Sequence, residues 1–235
     1  MQETGVRISI VVPVLDEAPG IAASLRALEG LRERGAQVIV VDGGSHDATR
    51  SIAAAFADVM VDAPRGRAMQ MNAGARAARG ATLLFLHADT RLPPDALEAI
   101  ASGLADGSRE WGRFDVEIEG RGLLLRLVAA MMNVRSRLTG VATGDQAIFV
   151  RRAAFEAIGG FPEIPLMEDV ALSKALRRRS APLCLRERVV TSARRWERHG
   201  AFRTIVLMWR LRLAYALGAD PRHLARRYES DRASS

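Results

Sequence analysis

The 235-residue sequence is poor in residues on which several classes of protein depend. Cys184 is its single cysteine, which excludes an intrachain disulfide and favours a reducing compartment. Aromatic residues make up 5% of the chain and form no basic stripe, which argues against a nucleic-acid-binding protein. Residues 1–7 lead directly into a strand-like segment, so we expect no signal peptide and a cytoplasmic location.

Long hydrophobic runs are also lacking. The best candidate, residues 201–217, is too short to span a membrane and is interrupted by arginines. Residues 123–134 show the same mixture of apolar residues and arginine. Two interpretations remain open for these segments: helices packed on their own domain, and peripheral contact with the inner face of the cell membrane.

Positive charge in this sequence is carried almost entirely by arginine. The net charge is +7, and Lys174 is the single lysine. Because arginine makes planar, bidentate contacts with phosphate, this composition favours binding of a pyrophosphate or of an anionic membrane. A genome biased toward arginine codons explains the same composition equally well.

In the first half of the chain, apolar segments typical of buried strands alternate with helical stripes. The predicted strands are residues 8–12, 38–41, 59–61 and 82–86. This alternation predicts an α/β fold with a mostly parallel sheet, right-handed crossovers and flanking helices. Residues 113–119 alternate polar and apolar side chains, which predicts a half-exposed strand. Residues 146–150 are strand-like, and residues 168–179 predict a helix.

Acidic residues stand directly after three predicted strands and at the start of the last predicted helix. They are Asp16 and Glu17, Asp42, Asp89, and the pair Glu168 and Asp169. The carboxyl ends of parallel strands meet at one edge of a sheet, where ligands bind. Clustered carboxylates need a counter-charge, which a divalent cation supplies together with substrate phosphates.

The segments VVPVLDE, VVDGGSHDAT, FLHADT, GDQ and MEDVAL occur in this order along the chain. Together they resemble the family 2 glycosyltransferases of the GT-A fold, from about residue 8 to residue 179. GRAMQMNAGA and RRWERHG resemble a bacterial subgroup that is associated with arsenosugar biosynthesis or labelled carotenoid-acid glycosyltransferase. The resemblance implies a GT-A-type sheet with a helical C-terminal extension, and an inverting enzyme that transfers a sugar from a nucleoside-diphosphate sugar to a hydroxyl.

The resemblance also assigns roles along one domain, residues 1–235. Residues 8–115 would bind the nucleotide sugar, residues 116–200 the acceptor, and residues 201–235 would form a helical tail. The implied donor-binding residues, with UDP sugars favoured, are Pro13, Asp16, Glu17, Asp42, Arg67 and Asn72. On the acceptor side the implied residues are Asp145, Gln146 and Glu168, with Asp169 as the catalytic base. Arg195 and Trp196 match the end of a Gln-x-x-Arg-Trp motif of processive members.

Two departures from the family pattern change what is expected. HAD at 87–89 matches the Asp-x-Asp metal motif, which implies Asp89 as a ligand of Mn²⁺ or Mg²⁺. His87 replaces the first aspartate of that motif, and it is either a second ligand or a hydrogen-bond donor to the backbone. Ser192 stands where processive members have glutamine, which implies a single transfer. Asp145 as a turn residue and Trp196 as a packing residue remain alternatives.

Other functions fit the sequence less well. A sugar-phosphate nucleotidyltransferase would need a glycine-rich loop after the first strand, where this chain has acidic PVLDEAPG. A non-catalytic, membrane-associated binder of nucleotide sugars would not need Asp89 and Asp169. A dehydrogenase is excluded because no G-x-G-x-x-G follows the first strand. The acceptor, a small molecule or a lipid, and the oligomeric state are left open.

Overall fold

The computed structural model describes residues 8–120, 122–194 and 200–233, which form one mixed sheet with helices on both faces. The strands are β1 Ile8–Val14, β2 Gln37–Asp42, β3 Val59–Asp62, β4 Thr82–Phe85, β5 Thr90–Arg91, β6 Trp111–Ile118, β7 Phe149–Arg151 and β8 Leu183–Thr191. The helices are α1 Ala18–Arg26, α2 Glu29–Glu33, α3 Thr49–Ala54, α4 Arg67–Ala77, α5 Ala96–Leu104, α6 Leu123–Thr139, α7 Arg152–Ala157, α8 Glu168–Arg177, α9 Ala201–Ala216 and α10 Pro221–Ala233.

The sheet order is β3-β2-β1-β4-β7-β6-β8-β5. The four N-terminal strands are parallel, so the loops after β1, β2 and β4 leave the same edge of the sheet. β7 lies antiparallel between β4 and β6, and β8 returns parallel to β6. The predicted α/β class with a GT-A-type sheet and a helical C-terminal extension is confirmed.

Alternate residues of the central strands build two cores on opposite faces of the sheet. Ile10 and Val38 pack with α1, α2 and α5 on one face. Val11 and Ile39 pack with α4, α7 and α8 on the other. Because successive side chains of a strand point to opposite faces, a continuous β-branched run fills both cores, as the sequence predicts for buried parallel strands.

Helix α4 lies unusually close to the sheet because of Gly74. A Cβ atom at this position would come within 2.3 Å of Val11 Cγ1 and 2.9 Å of Val41 Cγ2. Real Cβ atoms do not approach so closely, so alanine here would push α4 away from β1 and β2. The close packing places the N-terminus of α4 beside the carboxyl edge of the sheet.

Two predictions for the second half of the chain need correction. The strand predicted at residues 113–119 exists as β6, but Arg113 is 0% exposed, so this strand is more buried than predicted. Its guanidinium is accommodated because it pairs with Asp115 and donates to the carbonyl of Asn133. The strand predicted at residues 146–150 begins at Phe149, because Gly144–Gln146 form a 3₁₀ turn.

The helical tail consists of α9 and α10, which pack against each other through Leu211 and Leu224. In the described part of the chain, none of the helices combines the length and apolarity that a membrane span requires.

Candidate functional site

The loop after β1 and the segment after β2 are held together by a small hydrogen-bond network. Asp16 adopts a left-handed backbone conformation, with φ of 52°. Its backbone N–H donates to Ser45 Oγ at 3.0 Å, and its Oδ1 accepts from the backbone N–H of His46 at 2.8 Å. The N–H of Glu17 donates to Thr49 Oγ1 at 2.7 Å. The structure therefore brings these two predicted donor-binding loops together.

Asp42 is the last residue of β2 and lies at the carboxyl edge of the parallel strands. It is 4% exposed, and its oxygens accept from the N–H of Ser45 at 3.3 and 3.1 Å. Gln70 of α4 donates to the carbonyls of Val14 and Val41, at 2.8 and 2.9 Å, and so clamps the ends of β1 and β2. Sequence reasoning did not single out Gln70, because a buried glutamine within a helix gives no local signal.

Arg194, just after β8, joins the first loop to the predicted metal motif. Its Nη2 lies 3.3 Å from Glu17 Oε2 and 3.9 Å from Asp89 Oδ2. The backbone carbonyl of Asp89 also accepts from the N–H of Ser192 at 3.1 Å. Sequence reasoning selected the next two residues of the same motif, Arg195 and Trp196, and these lie outside the described residues.

A second network links the metal motif to the predicted base. His87 Nδ1 lies 3.3 Å from Asp145 Oδ1. The imidazole ring packs on Gly144, where a Cβ would come within 2.3 Å of His87 Nε2. Asp169 Oδ2 accepts from the N–H of Gly144 at 2.9 Å, and its Oδ1 accepts from the N–H of Val170 at 2.7 Å. Asp169 is therefore fixed against the turn on which His87 packs.

Two other predicted substrate-binding residues are engaged in holding the fold. Gln146 is 0% exposed and donates from Nε2 to Ser136 Oγ at 3.0 Å, which anchors the 3₁₀ turn to α6. Asn72 exchanges two hydrogen bonds with the backbone of Phe161, at 2.8 and 2.9 Å. These contacts use the amide groups that a substrate would need.

Glu168 is the most perturbed carboxyl group of the site. Burial, and then the negative charge of Asp169, raise the pKa of Glu168 to about 7, while the positive charges of Arg67 and His87 oppose the rise. Arg67 and His87 therefore lie within electrostatic reach of this carboxyl. Met167, which precedes it, has φ of 70° although it is buried. Such strain in a non-glycine residue is typical of functional sites.

We expect Glu168→Gln to remove a pH-dependent loss of stability. The pKa of Glu168 is about 7 in the folded chain and 4.5 without perturbation, so the folded state binds more protons between these values. Glu168 therefore contributes its full stabilisation of the folded state below about pH 4.5. This stabilisation, on the order of 2–3 kcal/mol, is lost as the pH rises toward 7. Urea unfolding without metal or nucleotide, at pH 5 and pH 8, measures the effect.

The matched control for this change is Glu163→Gln, because Glu163 is exposed and lies nearby in the sequence. The difference in stability between pH 5 and pH 8 should shrink in the Glu168 variant and stay unchanged in the Glu163 variant. Equal pH dependence in all three proteins would contradict the burial of an ionisable Glu168.

Asp89 presents a carboxylate that a metal ion could share with a substrate. Among the described residues, no three His, Cys, Asp or Glu side chains form a group able to hold a metal ion. The Asp89 side chain is 31% exposed, and its distance of 3.9 Å to Arg194 leaves its oxygens accessible. These features fit Mg²⁺ or Mn²⁺, which take one or two carboxylates from the protein and further oxygens from phosphates and water.

The fold and the acidic edge define a GT-A-type protein of the glycosyltransferase class. Residues 9–157 match the family described as Glycosyl transferase family 2. The chain belongs to glycosyl transferase family 2. A search of curated proteins found no match.

Several solved structures have the same fold. TarS 1-349 of S. aureus, in complex with UDP-GlcNAc, has a TM-score of 0.63 and 19% identity, with 79% of this chain and 58% of that chain covered. The mannosyltransferase PcManGT from Pyrobaculum calidifontis, in complex with GDP-Man and Mn²⁺, has a TM-score of 0.58 and 23% identity, with 78% and 56% covered. This chain thus spans little more than half the length of either of these two structures.

A third similar structure is glucosyl-3-phosphoglycerate synthase from Mycobacterium tuberculosis, in complex with Mn²⁺, UDP and glucosyl-3-phosphoglycerate. Its TM-score is 0.58 and its identity 19%, with 79% of this chain and 71% of that chain covered. At these identities the likeness extends to the fold, and the residues of the site have to be argued from their own geometry.

Proposed function

We propose that this chain transfers a sugar, with inversion, from a nucleoside-diphosphate sugar to a hydroxyl acceptor in a metal-dependent reaction. Family membership supports the transfer of a glycosyl group. The observation that carries the proposal is the contact path from Asp169 through the turn at Gly144 and Asp145 to His87, two residues before Asp89. This path joins a candidate base to a candidate metal ligand.

The donor would lie over the loops after β1 and β2. Glu17 and Asp42 offer carboxylates to the ribose and the base, and UDP sugars remain our favoured donors. The similar structures that contain UDP-GlcNAc, GDP-Man and UDP support a nucleotide sugar as donor. Arg67, exposed at the start of α4, would add bidentate contacts to the diphosphate.

The departing diphosphate gains negative charge as the sugar leaves. A divalent cation, when bound at Asp89, would stabilise this charge as a Lewis acid. Mn²⁺ in two of the similar structures supports a divalent metal, with Mn²⁺ and Mg²⁺ both compatible. Arg194, which lies between Glu17 and Asp89, would balance charge on the protein side of the same phosphates.

Asp169 is the proposed general base. Each of its oxygens accepts one backbone hydrogen bond, so each keeps a second lone pair. One of these would accept the proton of the acceptor hydroxyl while that oxygen attacks the anomeric carbon. A single displacement inverts the anomeric centre. Ser192, in place of the glutamine of processive members, favours one transfer per binding event.

A thermal-shift screen tests the donor assignment. UDP-glucose, UDP-GlcNAc, GDP-mannose and TDP-glucose would be compared with MnCl₂ or with EDTA. At a hundredfold excess over Kd, the preferred donor should raise the Tm by about 5–10 °C in the presence of manganese. The absence of any shift, or a shift that EDTA leaves unchanged, would contradict metal-dependent donor binding.

We also propose that α6 and α9 bind peripherally to the surface of an anionic membrane. In the described residues, the exposed large hydrophobic side chains all lie at 123–138 and 206–217. They are Leu123, Leu124, Leu127, Met131, Val134, Leu138, Val206, Trp209, Leu213 and Leu217. Exposed arginines, among them Arg126 and Arg210, stand between them. Such helices insert their apolar residues at the lipid interface while arginines contact lipid phosphates.

We expect the protein to float with vesicles that contain phosphatidylglycerol at low salt, and less so at high salt or with phosphatidylcholine alone. Exchanging Leu127 and Trp209 together for serine should reduce flotation strongly, because both side chains are more than half exposed, at 56% and 60%. Vesicle flotation followed by gel analysis measures this. Recovery of the wild-type protein outside the lipid fraction at low salt would disprove membrane contact.

A further inference from the structure

Arg135 of α6 is the centre of a group of arginines from separate elements, with Arg113 of β6 and Arg212 of α9. Arg113 donates to the carbonyl of Asn133, two residues before Arg135. Burial is the main reason that the pKa of Arg135 is lowered, to about 10. The positive charges of Arg212 and Arg113 lower this pKa further, and the negative charge of Asp169 opposes them, so all three charges lie within electrostatic reach of Arg135.

Several guanidinium nitrogens of this cluster are buried without a hydrogen-bond acceptor. In the part of the chain that the structure describes, they are Nε and Nη2 of Arg135 and Nε of Arg113 and Arg212. Arg113 has Asp115 as its counter-ion, whereas Arg135 and Arg212 have no ion pair within 4.0 Å among the same residues. Buried guanidinium N–H groups without acceptors are costly, so these two half-buried arginines are suited to an anion from outside the chain.

Packing places α9 against the start of α8. Leu211 and Tyr215 of α9 lie in one apolar cluster with Met167 and Val170, which flank Glu168 and Asp169 in the sequence. Burial and the charge of Asp169 raise the pKa of Tyr215, which agrees with this packing. Arg67 instead begins α4, so an anion held by Arg135 and Arg212 would be distinct from a donor diphosphate beside Arg67.

We propose that Arg135 and Arg212 bind an anionic group, a carboxylate or a phosphate, on the acceptor whose hydroxyl faces Asp169. The assignment to the acceptor rests on the proposed function, because Asp169 defines the acceptor side. Guanidinium groups bind both anions through bidentate, charge-assisted hydrogen bonds. The acceptor is accordingly a hydroxy acid or a phosphate ester with a free hydroxyl, either as a soluble molecule or as a lipid headgroup.

Calorimetry with the donor site filled tests this inference. The protein would first be saturated with UDP and Mn²⁺, and then titrated with glycerol 1-phosphate, glycerate or neutral glycerol. A second arm uses lysophosphatidylglycerol and, as its neutral counterpart, monoacylglycerol, both below their micellar concentrations. We expect binding of the anionic member only; binding in the first arm identifies a soluble acceptor, and binding confined to the second identifies a lipid.

Arg135→Gln and Arg212→Gln should each weaken this binding about tenfold to a hundredfold, because each removes a charge-assisted donor. The matched control is Arg222→Gln, which removes one charge from an exposed position of the neighbouring helix α10 and should bind as the wild type does. The Tm of the Arg135 and Arg212 variants should equal or exceed that of the wild type, because an unpaired buried charge is removed.

Equal affinity for anionic and neutral probes, or unchanged affinity in both variants, would overturn the proposal. A Tm well below that of the wild type, or failure of the variants to fold, would show that these arginines are structural and would overturn it as well. The initial titration with UDP and Mn²⁺ distinguishes failure of the proposed function from failure of this inference. If UDP does not bind, the proposed function is contradicted. If UDP binds but the later titrations show no preference for anionic probes, only this inference is contradicted.

Discussion

Sugar transfer is expected to fall by about two to four orders of magnitude when Asp169 is replaced by asparagine, with little change in donor affinity. The carboxylate is the proposed acceptor of the hydroxyl proton, and an amide cannot take that role. The measurement is turnover beside the Kd of UDP with Mn²⁺. Until an acceptor is identified, metal-dependent hydrolysis of the donor is the substitute.

The structure also gives Asp169 a structural task, so the test needs a control. Its two oxygens accept from Gly144 and Val170, and asparagine can satisfy only one of these donors. We expect a modest loss of stability, about 1–3 kcal/mol, that is separate from the loss of turnover. Asp106→Asn, on the loop before β6, is the matched change, because Asp106 also accepts a backbone N–H, from Ser108 at 2.9 Å. Turnover near that of the wild type in the Asp169 variant would remove it from the mechanism and direct attention to Asp145 or Glu168.

Asp89→Ala is expected to lower the affinity for UDP in the presence of Mn²⁺ by at least about tenfold, to the level measured with EDTA. Asp89 offers an accessible carboxylate in the matched metal motif, and one carboxylate with substrate phosphates can hold a divalent cation. Calorimetry with UDP, with and without Mn²⁺, measures the change. The same affinity in the variant and the wild type would refute the metal assignment.

His87→Ala is the informative companion to this variant. Both ring nitrogens of His87 face the turn at Gly144 and Asp145, so we expect a smaller loss of Mn²⁺-dependent affinity than for Asp89. Equal losses in the two variants would identify His87 as a true metal ligand.

The parallel half of the fold could be predicted from the sequence because its rules are local. Runs of apolar residues predicted β1, β2, β3 and β4, and topology then required the loops that follow them to share one edge. This edge explains why Asp16 and Glu17 come next to Asp42 and Asp89 in one region, as the sequence suggested. Register and crossover follow from elementary geometry once the strands are known.

The second half could not be predicted in the same way, because its contacts are distant in sequence. β8 was missed: its outer positions carry Arg186 and Arg188, and its apolar residues acquire meaning only when they pair with β6. Arg113 looked solvent-exposed from its alternating pattern, yet its side chain is buried, and it donates to the carbonyl of Asn133 on α6, which is distant in the sequence. Tertiary context overrides propensity at such positions.

The site residues also divide into those with a local sequence signal and those whose role depends on distant contacts. Asp89 and Asp169 were predicted from motifs, and His87, two residues before Asp89, packs on the turn that Asp169 contacts. Gln146 and Asn72 come from the segments GDQ and GRAMQMNAGA, but their amides bind the protein itself, since a motif letter does not reveal its hydrogen-bond partner. Arg194 belongs to the RRWERHG segment, but its contacts with Glu17 and Asp89 gave no signal, and neither did the Arg135–Arg212 pair, because the reach of a long side chain between elements depends on the folded packing.

The anomeric configuration of the sugar released from an α-linked donor tests the central claim most directly. The protein would be incubated with UDP-glucose and Mn²⁺, and the anomeric proton of the first product followed by NMR before mutarotation. Our account predicts that the β anomer forms first, and that neither EDTA-treated protein nor the Asp169→Asn variant forms it at a comparable rate. Initial release of the α anomer, or release that is unaffected by EDTA, would contradict metal-dependent inverting transfer.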